Sequence, residues 1–178
     1  MSSCRVRLSS PQSLKTPAKL SSDESTLAQA DEEFKIRRVL VAVDGSENSL
    51  KAVKVAAGIA KSREAELTVL HVLTLPVAAY YGDVPVQISK IEDEMRPQGE
   101  KYVTDAVSLA ERNGVRARTK IIERIESPVK GITDYASEND VDLIVVGTRG
   151  MGGFKRLLLG SVAAGVVHYA HCSVLVVR

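Results

Sequence analysis

Tryptophan is missing from this sequence, and Tyr and Phe bring the aromatic share to only 4%. A surface that stacks nucleic-acid bases needs more rings than that. Charge of one sign is lacking too: 24 Lys and Arg stand against 22 Asp and Glu, a net +2, with the basic residues scattered among the acids. Such a chain is expected to bind neither nucleic acid nor a membrane surface. The two cysteines, Cys4 and Cys172, make no disulfide framework and no CxxC pair, which points to a reducing compartment, the cytoplasm. No apolar run approaches the roughly 18 residues of a membrane span, and no h-region stands near Met1. What remains, 44% hydrophobic and 26% charged residues in a chain of 178, is the composition of one globular domain with a sizeable core.

The beginning of the chain differs from the rest. Residues 1 to 22 hold seven Ser, four basic residues and no acid, and residues 23 to 33, DESTLAQADEE, turn abruptly acidic. Neither half sustains an apolar period, so residues 1–35 are expected to be a disordered N-terminal extension and residues 36–178 the folded domain. The Ser-rich, acid-free start also has the composition of an organelle transit peptide; an untargeted extension or a misplaced start is the simpler reading.

From Lys35 onward strands and helices alternate. Residues 37–44, RRVLVAVD, are a β-branched run, and 46–63 follow as a helix with Leu50, Val53, Ala57 and Ala60 at helical spacing and Ser46 as N-cap. A second strand (65–73), a loop from Thr74 to Gln87 and a helix (88–114) come next, the helix expected to be kinked or interrupted at Pro97 and Gly99. Residues 115–123 alternate apolar and basic residues like an edge or half-exposed strand, and 127–141 open with Ser127 as N-cap and Pro128 at the first helical position. A strand (141–146), a glycine-rich loop, a helix (161–170) and a last strand (173–178) complete the pattern. Five such alternations predict an α/β fold, a five-stranded parallel sheet with helices on both faces.

The loop GTRGMGGFKRLLLGS, residues 147 to 161, joins a strand end to a helix start, the place where α/β proteins bind phosphate. Gly147, Gly150, Gly152 and Gly153 would permit positive φ and close backbone approach, so that successive N–H groups form an anion nest. Gly160 and Ser161 then open a helix whose N-terminus favours negative charge. Two familiar phosphate motifs fail: no GxxxxGK[ST] starts at Gly147 or Gly150, and Lys155 stands where GxGxxG needs its last glycine. If the first and fourth strands are neighbours, Asp44 and Gly147 face each other across the crevice.

What is left is G-x-x-G, nine residues, then G-S: Gly147, Gly150, Gly160 and Ser161. With Asp44 at the first strand end, this arrangement resembles the universal stress protein family, specifically its ATP-binding branch, over residues 36–178. The resemblance implies a Rossmann-like, nucleotide α-hydrolase-like sheet in the order 3-2-1-4-5, with ATP and Mg held between the first and fourth strand ends. By position, Asp44 matches the acid beside the ribose and the metal-bound phosphates. Ala42, Val43 and Val72 match residues flanking adenine and ribose, and Val146 and Gly147 those at the fourth strand end. Gly150, Gly160, Ser161 and Val162 match residues around the triphosphate. Arg149 sits where family side chains vary; its guanidinium either pairs with phosphate or is solvated.

Other readings stand beside these. Asp44–Gly45 also reads as a turn into a helix, Gly160–Ser161 as a loop end and N-cap, and Lys155 and Arg156 as exposed charges. Ser161 lacks a base partner, and His71, His168 and His171 stand remote in sequence from the loop. His168, His171 and Cys172 suggest a helix C-terminus more than a metal site. With no triad, HExxH or paired carboxylates, the expected role is a nucleotide-responsive stress regulator that holds ATP, with slow hydrolysis at most. The last strand, Ser173 to Arg178, is apolar and in the family order forms an edge, which a two-fold homodimer would cover. A nucleotide-independent, chaperone-like dimer of the same fold is the alternative.

Overall fold

The computed structural model describes residues 35–74, 88–124, 127–150 and 159–178. The expected extension up to residue 34, the expected loop over 75–87, and Gly152, Gly153, Lys155 and Arg156 lie outside the described residues. Along the chain come β1 (Arg38–Ala42), α1 (Glu47–Arg63), β2 (Glu66–Thr74), α2 (Ile88–Arg112), β3 (Ala117–Arg124), α3 (Pro128–Glu138), β4 (Leu143–Gly147), α4 (Ser161–Tyr169) and β5 (Ser173–Val177). All the strands pair in parallel, in the order β3-β2-β1-β4-β5, the order the family resemblance implied.

Strand side chains alternate between faces, and here both faces are covered. Val39, Val41, Val69 and Val145 meet α1 and α2 through Val53, Ala56, Ala57, Val103 and Ala106. On the other face Leu40, Leu70, Ile144 and Val146 meet α3 and α4 through Ile132, Ala136, Ala163 and Val166. The central strands are therefore apolar on both sides, the reason their sequences read as unbroken runs. Burying a side chain of this size contributes roughly 1.5 to 3 kcal/mol.

Local chemistry sets the helix starts. Ser46 Oγ accepts from Ser49 N at 3.2 Å, and Ser127 Oγ accepts from Val129 N at 3.2 Å with Pro128 opening α3. Of the expected apolar stripe of α1, Val53, Ala57 and Ala60 are buried and only Leu50 departs. The buried face is Ser49, Ala52, Val53, Ala56, Ala57 and Ala60, while Leu50 is only half-buried. Ser49 is tolerated inside because its hydroxyl donates to Ser46 O at 2.8 Å.

The expected interruption of α2 does not occur: the helix runs through Pro97 and Gly99 to Arg112. Pro97 is exposed, where solvent can satisfy the carbonyl that its missing N–H leaves. Gly99 is buried, and a Cβ there would lie 2.8 Å from His71 Cδ2. This glycine lets the helix settle on β2 rather than breaking it. α3 likewise stops at Glu138, short of the expected 141, because Asp140 takes a positive φ of 47°.

Two helical glycines make the packing testable by urea unfolding. Gly58 faces open space, so Gly58→Ala is expected to stabilise by about 0.5 to 1 kcal/mol, the usual gain in a helix. A Cβ on Gly165 of α4 would lie 2.6 Å from Val129 Cγ2, and Val129 is stiff at χ1. Gly165→Ala is therefore expected to cost about 1 kcal/mol or more despite the better propensity. Equal gains at both positions would show that α3 and α4 pack more loosely than described.

Candidate functional site

The order in which successive strands are added to the sheet reverses at one place. From β1 the chain passes to β2 and β3 on one side, whereas β4 and β5 lie on the other. Val39, Leu40 and Val41 of β1 pair with Leu143, Ile144 and Val145 of β4, so the two strands end side by side. A cavity of about 910 Å³ opens at these carboxyl ends. The end of β1 contributes Ala42, Val43 and Asp44 to its lining, and β2 contributes Val72. Val146 and Gly147 enter from β4, Arg149 and Gly150 from the loop after it, and Gly160, Ser161 and Val162 from the start of α4. The residues matched by the family resemblance are thus brought to one cleft, while Gly152 and Gly153 lie outside the described residues.

Asp44 works in two directions. Its Oδ1 accepts from Ser46 N at 3.0 Å, an Asx turn that delivers the chain to the Ser46 cap. Its Oδ2 lies where Gly150 would carry a side chain, so a Cβ at Gly150 would overlap the carboxylate oxygen. The residue facing Asp44 is therefore Gly150. Gly147, expected in that role, packs against α1 instead, where a Cβ would sit 2.8 Å from the Asn48 carbonyl carbon. The positive φ expected at Gly147 and Gly150 is found at neither, while Gly152 and Gly153 lie outside the described residues. Among the described glycines only Gly45 (φ 81°) and Gly114 (φ 78°) have positive φ. Gly147, Gly150 and Gly160 are needed for space, not for left-handed backbone.

The two loops are tied together. Ser46 Oγ donates to Arg149 O at 3.4 Å, Gly160 N to Thr148 O at 2.7 Å, and Thr148 N to Val177 O at 2.7 Å. Gly160, not Ser161, holds the N-cap position of α4, with φ −74°, ψ 160° and no side-chain cap bond. Ser161 is the first helical residue and is exposed. The first-turn N–H groups of α4 thus open toward the cleft uncapped by a side chain, and with the helix dipole they favour an anion there.

Sequence reasoning missed the wall built by α2 and β2. His71, Gln98, Gly99 and Tyr102 line the cavity, and His71, remote in sequence from the glycine loop, is not remote in space. His71 Nδ1 donates to Val43 O at 2.7 Å, and its ring meets Tyr102 edge-on at 5.4 Å and 75°. No local pattern marks such residues; only the adjacency of β1 and β2 finds them. His168 packs its ring on Tyr169 at the end of α4, 4.6 Å and 89° apart. Among the described residues no group of three His, Cys, Asp or Glu is placed to hold a metal. Burial pushes the Cys172 thiol above its ordinary value, which disfavours the thiolate a ligand or nucleophile needs.

This fold has counterparts among known proteins. The model of the universal stress protein family matches residues 35–178. The chain belongs to that family. Universal stress protein YxiE of Bacillus subtilis is 39% identical over 147 residues, 79% of this chain and 98% of the relative. Among solved structures, universal stress protein UspA from Lactobacillus plantarum superposes with a TM-score of 0.68 at 28% identity, covering 81% of this chain and 99% of that one. A universal stress protein from Archaeoglobus fulgidus in complex with dAMP gives 0.58 at 26% identity, over 81% of this chain and 99% of its own. Among the described residues of this universal stress protein, no helix is long and apolar enough to cross a membrane.

The contact between Gly150 and Asp44 can be measured without any ligand. Gly150→Ala is expected to cost about 1 to 3 kcal/mol, because moving the carboxylate breaks its bond to Ser46 N. In an Asp44→Ala background most of that cost should vanish, a coupling of about 1 to 2 kcal/mol in a double-mutant cycle. The same cost in both backgrounds would mean that the new Cβ meets something other than Asp44.

Proposed function

We propose that this universal stress protein holds ATP with Mg²⁺ in the cleft between β1 and β4 and acts as a nucleotide-responsive regulator. The observation that carries this is the meeting of two unlike walls across a glycine: the Asp44 carboxylate against Gly150, and the uncapped start of α4 at Gly160. A polyphosphate suits the second wall, and a divalent cation suits the first. When bound, Mg²⁺ would neutralise phosphate charge and let the ligand lie beside a carboxylate.

The rest of the cleft fits the remainder of such a ligand. Its volume of about 910 Å³ lies in the range of small-molecule sites. Leu70, Val72, Ile132 and Val146 give it an apolar floor, which suits a planar base. The relative that holds dAMP supports adenine as that base. The first-turn N–H groups of α4, beginning at Ser161, would be accessible to phosphate, and Arg149 lines the same cavity. Backbone donors grip phosphate without supplying a base, so the favoured role is holding ATP, not turning it over.

The second part of the reading is a homodimer through β5, with the cytoplasm as its compartment. β5 ends the sheet. Val177 O accepts from Thr148 N, so Val177 points inward and the N–H and C=O of Val176 point away from β4. An edge of this kind can pair with a second copy.

Two measurements check these statements. Denaturing the purified protein should release adenine nucleotide in near-stoichiometric amount by mass spectrometry. Gly150→Asp and Asp44→Ala should carry little and bind MgATP about tenfold more weakly or worse, a loss of about 1.4 kcal/mol or more. If the wild-type protein carries none and binds none near millimolar MgATP, a nucleotide-independent dimer takes its place. For the assembly, Val176→Pro removes an outward donor that the β4 ladder does not use. It should convert a dimer to monomer in light scattering; a persisting dimer would exclude this edge.

A further inference from the structure

We propose that His71 is a positioning residue for Asp44, and that through it the seating of α2 sets the shape of the loop that meets the ligand. Its effect on affinity rests on the nucleotide reading above; its effect on the loop does not. The pairing of β1 with β2 ends at Ala42 opposite Leu70, with Val43 N still donating to Leu70 O at 2.8 Å. The Val43 carbonyl, the last before Asp44, accepts instead from the His71 ring at 2.7 Å. A carbonyl only accepts, so Nδ1 carries a proton and is the donor. His71 is 9% exposed, which leaves that ring little room to turn.

The far edge of the ring rests on α2. A Cβ on Gly99 would lie 2.8 Å from His71 Cδ2 and 3.2 Å from Nε2, so imidazole is wedged between the helix backbone and the Val43 carbonyl. Tyr102, three residues further along α2, meets the His71 ring edge-on and fills the space where Gly45 would carry a Cβ. Gly45 has φ 81°, which side chains rarely adopt. α2 therefore reaches the loop on both sides of Asp44, at Val43 through His71 and at Gly45 through Tyr102. A core histidine that merely fills space would not need its donor; a positioning histidine would.

Substitutions that differ in donor placement separate these roles. An Asn amide can stand where Nδ1 stands, a Gln amide where Nε2 stands, and Leu fills volume with no donor. Amide NMR spectra of the ligand-free protein and MgATP titrations would be recorded for wild type, His71→Asn, His71→Gln and His71→Leu. The Leu and Gln variants are expected to shift the Asp44, Gly45 and Ser46 amides and to raise the MgATP Kd about tenfold. The Asn variant should keep the wild-type loop resonances and a Kd within about threefold. An Asn variant indistinguishable from Leu, or a Leu variant with an unmoved loop and unchanged Kd, overturns the proposal. Should the Leu variant fail to fold, Gly99→Ala pushes the ring from its other edge, and unmoved amides at 44–46 would equally overturn it. If wild type binds no MgATP while the Asn and Leu spectra still differ at 44–46, the nucleotide reading falls and the positioning role stands.

Discussion

How closely two loops from distant parts of the chain can approach is the constraint on which this cleft depends. β1 and β4 lie side by side in parallel, so the loops that leave them start one strand spacing apart. At that separation a side chain does not fit everywhere. Gly147 yields its place to the first turn of α1, and Gly150 yields its place to the Asp44 carboxylate. With those two positions bare, Ser46 reaches Arg149 O and the loops close into one wall. A glycine-rich loop is usually credited with backbone freedom, yet at Gly147 and Gly150 the requirement is volume.

The two ends of the sheet are built differently. At the amino end Asp142 Oδ2 accepts from Arg37 N at 2.7 Å and Arg38 N at 2.8 Å, while Arg38 Nη1 pairs with Asp140 Oδ2 at 2.9 Å. At the carboxyl end β1 stops at Ala42 while β2 runs on to Thr74, which leaves a step where the cavity opens. Surface pairs such as Glu47–Lys51 and Lys130–Asp134 add only about 0.3 to 0.5 kcal/mol each. Stability therefore rests on the apolar layers above and below β1 and β4, and the open end can keep polar groups aimed at a ligand.

That division explains which parts were legible in the amino-acid order. Apolar runs such as Leu143 to Val146, and starts such as Ser127–Pro128, are local signals, and they announced the strands and helices. The motif glycines and Asp44 could be gathered into one site by spacing and family resemblance. Contacts made only by folding could not. Pro97 and Gly99 look like breakers until the exposure of one and the nearness of the other to His71 are known. Leu50 is the stronger apolar residue, but Ser49 goes inside because its hydroxyl has a partner one turn back. The pairing of Asp44 with Gly150 depends on how a loop folds back, which spacing does not encode.

A regulator needs more than a site, because a ligand shifts structure only to the extent that it binds one arrangement better than another. The cleft is lined by elements from both faces of the sheet: α4 and the Ile132 side of α3 from one, α2 from the other. α2 also presses on the loop that carries Asp44, at Gly45 through Tyr102. Its N-terminal half begins directly after a long connection, and its C-terminal half is anchored in the core by Val103, Ala106 and Ala110. Touching the site near its middle through His71 and Tyr102, and tied to β3 by Arg96 and Glu123, such a helix links the Asp44 loop to that core. The sheet, packed on both faces, is the fixed frame, and any motion that ligand binding causes has to be taken up by elements at its carboxyl edge.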